Sequence, residues 1–458
     1  MLLGKIFEPF IEKRPVCVMA RGILERLLDP RRVDQVFADH ARRQYTRDLL
    51  FSTVVQLMGE VVLKVQPSVH AAWQAREDEI GVSVAALYKK LDRVETGISA
   101  ALVRDSAEQA AAVIDALQAP LPPWLKGYRC RVLDGNHLSA SEHRLQELRT
   151  TWAAPLPGKV LVVLDQERML AEDVFLTEDG HAQERSLLAE VLSVVQPKDV
   201  WIADRNFCTC GFLFGIADRG ACFLIRQHGT LKGRRIGRRR RVGTTATGVV
   251  YEQNLELTDP ATGRTMVLRR ITVKLHQPTR DGDYEIHLLT NVPAAHADAL
   301  LLSGLYRRRW TIETMFQEVT TTLACEIDTL CYPPAALFAF CLALLAYNAV
   351  SVLKAALRSV HGEEHVNETV SGYYLALEIQ QAYDGMRVAI PDRHWRAFRR
   401  LTLPDFAKTL RQLAGHVRLS RYRKHPRGPK KPPPKKTRYK NGGHVSTAKL
   451  LRGDKDTC

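Results

Sequence analysis

Residues 306–313 of this 458-residue chain read Tyr-Arg-Arg-Arg-Trp-Thr-Ile-Glu and place one carboxylate among several cations. On an α-helix, Tyr306, Arg309 and Glu313 would share one side, because residues three and four apart are neighbours. Such a cluster is typical of an exposed ion pair. It is also typical of a metal-binding carboxylate beside side chains that hold phosphate. The stretch by itself leaves both interpretations open.

Two aspartates earlier in the chain favour the metal site. Asp134 follows the apolar pair Val132-Leu133, and Asp204 follows the apolar run 200–203. Each pattern predicts a buried strand, an aspartate at its carboxyl end and then a turn. Ligands in α/β sheets gather at the carboxyl ends of strands, and carboxylates are the hard oxygen ligands that Mg²⁺ prefers. Taken singly, each aspartate is equally well explained as a turn residue or helix cap.

The ordered combination resembles the DDE transposases of the insertion-sequence-four type. Their motif is Tyr, two residues, Arg, three residues, Glu, six residues and Lys, and residues 306–313 match its first three members. The aspartates of 133–135 and 203–205 match the first two catalytic acids of the family. Further positions that agree are Trp310, Ile312 and Arg205. The resemblance runs from about residue 126 to about residue 350.

One position departs from the family motif. The lysine expected seven residues after Glu313 is Thr320. Threonine hydrogen-bonds a phosphate but supplies no point charge. Reduced activity and a substitute cation, such as Arg308, both remain open.

The resemblance implies an α/β fold: a ribonuclease-H-like mixed sheet flanked by helices, with a β-rich insertion and an N-terminal all-helical domain. The predicted divisions are an N-terminal helical DNA-binding domain at 1–125, the first part of the catalytic core at 126–230, the insertion at 231–290, the second part of the core at 291–355, a C-terminal helical region at 356–417 and a basic disordered tail at 418–458.

The resemblance also implies metal-dependent cleavage of transposon ends and strand transfer by phosphoryl transfer. Asp134, Asp204 and Glu313 would be both the catalytic residues and the ligands of two Mg²⁺ ions, for which Mn²⁺ would substitute. Tyr306 and Arg309 would hold the DNA backbone. Arg205 would contact DNA beside them, and Trp310 or Trp201 would stack on a base. Relatives act as dimers on paired DNA ends, so a homodimer bound to transposon ends and target DNA is expected.

Two alternatives remain at this point. One is a catalytically silent or repurposed DNA-binding protein derived from a transposase, which Thr320 favours and the complete acidic triad opposes. The other is a related metal-dependent nuclease that cuts without joining. A nucleotide cofactor is not expected, because the chain has no phosphate-binding glycine loop of the P-loop kind.

The charge of the chain agrees with a nucleic-acid partner. The formal net charge is +16 and the pI is about 9.5, which indicates attraction to a polyanion. Residues 418–440 contain 11 Lys or Arg and no acid, with several prolines. This pattern predicts a disordered arm that contacts the DNA backbone, through Lys430 and Lys431 among others. A solubilising tail is the alternative.

A second basic cluster, residues 234–241, contains six arginines, of which Arg238, Arg239, Arg240 and Arg241 are consecutive. We expect it to form a loop that grips DNA phosphates, with a merely solvated loop as the alternative. Apolar alternation predicts strands at 248–257, 265–276 and 284–290.

Other segments carry less specific signals. Residues 81–93 predict a capped helix with a basic face, which would be either a DNA recognition helix or a packing helix. The apolar run 335–347 is too short to span a bilayer and suits a buried core helix. The start of the chain has no signal-peptide pattern, and the nine cysteines are irregularly spaced, which opposes disulfides and a zinc site. A cytoplasmic protein associated with the bacterial nucleoid is therefore expected.

Overall fold

The computed structural model describes residues 4–279 apart from 45 and 47, residues 282–425 and residues 443–453. The first part of the chain is helical, as its long apolar periodicities predict. Prolines begin α2 and α3, where the missing N–H costs no hydrogen bond. The helices are α1 (Glu8–Lys13), α2 (Pro15–Leu27), α3 (Pro30–His40), α4 (Phe51–Val62), α5 (Val69–Gln74), α6 (Glu77–Ile80), α7 (Val84–Leu91) and α8 (Thr96–Ala116).

A mixed sheet follows these helices. Its nine strands lie in the order β4-β3-β1-β5-β6-β10-β9-β8-β7, and β1, β5 and β6 are parallel to one another. The elements are β1 (Arg129–His137), β2 (Ala154–Leu156), β3 (Lys159–Asp165), β4 (Leu170–Thr177), α9 (Leu188–Val194), β5 (Asp199–Ala203), α10 (Cys210–Asp218), β6 (Cys222–Arg226), β7 (Arg234–Thr245), β8 (Gly248–Thr258), β9 (Thr265–Leu275) and β10 (Glu285–Thr290).

The β-rich insertion continues this sheet. The strands predicted between 248 and 290 are confirmed as β8, β9 and β10. Because β10 pairs with β6, the insertion adds its strands to the edge of the central sheet. The sheet with helices on its faces and helices before it confirms the predicted fold class.

The rest of the chain returns to helices. One apolar core joins them to the N-terminal helices and to one face of the sheet, so the N-terminal segment is not packed separately from the remainder. The elements are α11 (Ala299–Arg308), α12 (Trp310–Thr322), α13 (Pro333–His361), α14 (Glu363–Thr369), α15 (Gly372–Ala389), α16 (Asp392–Arg400), α17 (Leu403–Gly415), β11 (His444–Ser446) and α18 (Thr447–Arg452).

The central helix of this core is α13, which is 29 residues long and extends well beyond the apolar run that predicted it. Within the described part of the chain it is the one helix long and apolar enough to cross a membrane by length and composition. All of its apolar window is buried inside the fold. Asn348 is fully buried in α13 and uses its amide to bond both N–H and C=O of Ala171 in β4, at 2.8 and 3.0 Å. The helix is therefore fixed to the sheet by a satisfied polar contact as well as by apolar packing.

Candidate active site

The parallel pairing of β1 and β5 brings the two predicted aspartates together. Leu133 is opposite Ala203 in the ladder, so the residues that follow, Asp134 and Asp204, lie on neighbouring strands. Asp204 comes directly after the end of β5, as predicted. The turn predicted after Asp134 is wrong: β1 continues to His137, because β3 still pairs with it there.

The helix that carries the third acid differs from the prediction. Residues 306–313 do not form one continuous helix, since α11 ends at Arg308 and α12 begins at Trp310. Arg309 lies at the break, where its N–H bonds the carbonyl of Tyr306 at 3.1 Å. Buried Leu305 in α11 and Ile312 in α12 anchor the two helices on either side of that break. In spite of the break, Arg309 and Glu313 keep the i,i+4 contact of a continuous helix.

Arg309 links the two parts of the site. Its Nη1 donates to Asp134 Oδ2 at 2.7 Å, and its Nη2 donates to Glu313 Oε1 at 2.8 Å. The hydroxyl of Tyr306 donates to Asp204 Oδ1 at 3.4 Å. Only 7% of Arg309 and 9% of Tyr306 is exposed. Both side chains predicted to hold DNA are therefore bound to the acids in this arrangement.

Burial and charge act in opposite directions on these groups. Burial raises the pKa of Asp134 to about 6; Arg309 opposes this rise, while Glu313 and Asp204 add to it. Burial by itself would lower the pKa of Arg309, but Asp134, Tyr306 and the other acids hold it above its usual range. The pKa of Tyr306 is raised by burial and by Asp204, so the phenol remains protonated. The site concentrates negative charge around one guanidinium.

The three acids have the type of ligand atom that a hard cation prefers. Asp134, Asp204 and Glu313 offer only carboxylate oxygens, which Mg²⁺ prefers. Burial is the main reason that the pKa of Asp134 is raised, and Glu313 and Asp204 add to it; a divalent cation would favour the ionised carboxylates against both effects. Across the ranges that the structure describes, no three His, Cys, Asp or Glu side chains are grouped closely enough to hold a metal ion. Here the positive charge between Asp134 and Glu313 is that of Arg309.

The other predicted residues near the site have different surroundings. Trp310 is 63% exposed at the start of α12, which suits contact with a base, whereas Trp201 is fully buried in β5 and cannot stack on one. Arg205 follows Asp204 and faces Asp283 at 3.9 Å. Thr320 is exposed on α12 and bonds the carbonyl of Gln317. Arg308 lies over the ring of Trp124 and makes no contact with the acids, so it does not substitute for the family lysine here.

The predicted arginine loop is a strand. Residues 234–245 form β7 at the edge of the sheet, with a bulge between Ile236 and Arg240. Acids of β8 and β10 pair with several arginines of β7, and these pairs offset the repulsion among the arginines. Arg234 binds Glu256, Arg240 binds Glu252, and Arg239 binds Glu285 and lies over the ring of Tyr251. Arg235, Arg238 and Arg241 are exposed and make no ion pair with any described residue.

The predicted disordered tail is partly structured. Leu419–Tyr422 is a short 3-10 helix with Tyr422 buried. His444–Ser446 forms β11, which pairs with β2 and is followed by α18. Buried Val445 and Ala448 explain why this end packs in spite of the basic composition before it. Lys430 and Lys431 lie outside the described residues.

Two groups near the site were missed by the sequence reasoning. Arg226 ends β6, the strand next to β5, and its charge lowers the pKa of Tyr306. Its position at the carboxyl end of an apolar strand could have identified it as a residue near the site. Lys354 of α13 pairs with Glu318 of α12 at 2.7 Å. The sequence offers no motif that joins positions so far apart.

The family model described as Transposase DDE domain matches residues 125–349. The match covers β1 to β10, α11 and α12 and most of α13, so it contains all three acids. No curated protein matches the chain. The matched segment is thus similar to transposase DDE domains.

Proposed function

We propose that this protein is a DNA transposase that cuts the ends of a mobile element and joins them to target DNA. The observation that carries the proposal is that Arg309 bonds Asp134 and Glu313 and Tyr306 bonds Asp204, all within a segment similar to transposase DDE domains. The three acids come from two neighbouring strands and a helix more than 100 positions further along. Packing alone gives no reason to place three acids around one buried guanidinium, since burying charges costs stability.

The three acids would hold two Mg²⁺ ions, with Mn²⁺ as a substitute. When bound, the ions would supply a nucleophilic water and stabilise the attacking and leaving oxygens of phosphoryl transfer. Arg309 has a planar fork of donors that fits a phosphate as well as a carboxylate. It would therefore exchange its bonds to Asp134 and Glu313 for the scissile strand. Tyr306 would position the same strand, and exposed Trp310 would stack on a base.

The DNA would extend over the basic surfaces outside this site. The unpaired arginines of β7, Arg235, Arg238 and Arg241, would neutralise backbone phosphates. The exposed Lys89 of α7 would add a cation from the N-terminal helices, whereas Lys90 is turned over the ring of Phe37. We expect a homodimer on paired ends, working in the bacterial cytoplasm at the nucleoid.

A cleavage assay with matched variants tests the proposal. The substrate is a DNA fragment that carries the inverted repeats flanking the reading frame, with Mg²⁺ or Mn²⁺. Asp134→Asn, Asp204→Asn and Glu313→Gln should each abolish cutting and largely spare DNA binding, because each keeps its size and loses its charge. Glu190→Gln, at an exposed position of α9, is the control and should cut normally.

Different failures have different meanings. Near-normal cutting by Glu313→Gln would overturn the assignment and direct attention to Glu318 on the same helix. A parent protein that binds the ends and never cuts would favour the catalytically silent alternative, which Thr320 and the engaged Arg309 support. Cutting without joining to target DNA would identify a nuclease.

A further inference from the structure

A cleft of about 800 Å³ lies beside the acidic site, on an adjoining side of α12. Thr314, which follows Glu313 directly, forms part of its wall. We call it the α15 cleft because the first residues of α15 line it. Its charged and polar lining includes Glu318, Lys354, Arg358, Asn367, Lys424 and His425. The predicted functions of the acids and of β7 do not involve it.

The amino terminus of α15 faces this cleft. The helix begins at Gly372 and runs for 18 residues, and Ser371 before it gives no side-chain cap. Gly372 lets the carboxylate of Glu318 lie against this terminus, since a Cβ there would overlap it, so the helix end already has an anion and a second one must rely on the cations of the cleft. Helix amino termini present free N–H groups and partial positive charge, and thereby bind anions.

Arg358 is the second and independent observation. It is 7% exposed, lines the cleft from α13 and forms no ion pair with any residue in the described ranges. Its Nη2 donates to the carbonyl of Ala119 at 3.0 Å, and its Nε has no hydrogen-bond partner among those residues. Burying a guanidinium without an anion is costly. A guanidinium left in this state inside a cleft is suited to an anion that enters it.

The remaining charges leave a surplus of cations. Lys354 is paired with Glu318, and Lys424 stands at the rim, where it donates to the carbonyl of Asn367. Burial and the neighbouring Lys354 lower the pKa of Lys424, although Glu318 and Glu368 oppose this. The lining therefore has the basic side chains Lys354, Arg358 and Lys424 against the carboxylate of Glu318, while Glu363 and Glu368 act on Arg358 and Lys424 from outside the lining. An anion would relieve this crowding.

We propose that the α15 cleft binds a backbone phosphate of the DNA strand that passes the acidic site. The inference rests on the proposed function for the identity of the ligand. The phosphate would be held by the charges of Lys424 and Arg358, and Arg358 would offer it the Nε that has no partner among the described residues. Because Glu313 and Thr314 are consecutive on α12, one strand can reach the acids and the cleft together. The cleft thus supplies positive charge from α13 and Lys424 beside α12, the helix whose family lysine is replaced by Thr320.

Binding of single-stranded DNA over a range of salt concentrations tests this site. The full chain carries Asp134→Asn, and the probe is a fluorescent 20-nucleotide oligothymidylate followed by anisotropy. Lys424→Gln should lower the salt slope by about 0.7, and weaken binding about fivefold at 0.1 M salt, if it removes one phosphate contact. Lys424→Arg should restore both. Lys408→Gln, an exposed lysine of α17 outside the cleft, is the charge-matched control and should change neither.

Two results would overturn the proposal. Equal losses in Lys424→Gln and Lys408→Gln would show that only the overall charge matters. A second arm titrates inorganic pyrophosphate: if Lys424→Gln abolishes its binding and leaves oligonucleotide binding intact, the cleft serves a free phosphate compound and not DNA. Neither titration requires cleavage. A parent protein that fails to cut DNA would therefore count against the transposase proposal, and the two titrations would still test phosphate binding in the α15 cleft.

Discussion

Removal of Arg309 should destabilise the protein in a strongly pH-dependent manner. The guanidinium is 7% exposed and bonds both Asp134 and Glu313. Arg309→Gln keeps a polar side chain and removes the charge. Asp134 then stays buried beside Glu313 and Asp204 without its cation.

The burial of Asp134 and Glu313 sets how much free energy of unfolding Arg309→Gln should lose. The rise in the pKa of Asp134 from 3.8 to about 6 corresponds to about 3 kcal/mol even with Arg309 present. Breaking a buried pair typically costs about 3–5 kcal/mol. The side chain of Asp134 is 18% exposed and that of Glu313 is 38% exposed, so the Glu313 bond adds little. We expect Arg309→Gln to lower the free energy of unfolding by about 3 kcal/mol at pH 8.

The sign of the pH dependence is fixed by the direction of the pKa change. Because the folded-state pKa of Asp134 is raised, its contribution to stability is most favourable below 3.8 and declines as pH rises to about 6. Without Arg309 the pKa of Asp134 rises further, and the decline continues above pH 6. At pH 5 the carboxyl of Asp134 is mostly protonated in both the parent and Arg309→Gln. The loss in the free energy of unfolding should therefore shrink to roughly 1 kcal/mol.

Urea unfolding at pH 5 and pH 8 measures this difference. Arg307→Gln is the matched control, since Arg307 is exposed on α11 and makes no ion pair within the described part of the chain. Adding Asp134→Asn to Arg309→Gln should recover most of the loss at pH 8, because the two positions are coupled. Equal losses at both pH values, or no recovery in the double variant, would show that Arg309 acts through packing and would refute the electrostatic account.

Three further predictions concern DNA. Replacing Lys430 and Lys431 by Gln should lower the salt slope of duplex binding by about 1.8, as expected for two phosphate contacts; an unchanged slope in filter-binding titrations would identify a solubilising tail. In the same titrations Arg238→Gln should weaken binding more than Arg234→Gln, because Arg234 is already paired on the sheet, and equal effects would argue against a role of the free arginines. Thr320→Lys should raise single-turnover strand cleavage on pre-nicked ends with little change in affinity, and slower cutting would mean that another residue already supplies that charge.

The local parts of the fold were predictable because they depend on neighbouring residues. Apolar alternation gave the strands near 248–290, and the apolar run before Asp204 gave β5 with its aspartate at the end. The strand at 234–245 was not predictable in this way. Its arginines would repel one another in isolation, and in the fold three of them are paired with Glu252 and Glu256 on the adjacent strand β8 and with Glu285 on β10.

Strand-end and motif patterns were enough to select Asp134, Asp204 and Glu313 as candidate acids, because those patterns are local. How the three side chains are held follows from contacts between distant segments. The β1–β5 register places the aspartates side by side, and the packing of α12 near β1 lets the guanidinium of Arg309 bond two acids that are 179 positions apart in the chain. The α15 cleft likewise needs α12, α13 and α15 to pack together. Such contacts depend on how distant segments pack. Burial also strengthens the interactions between their charges, and a local pattern of residues cannot predict that burial.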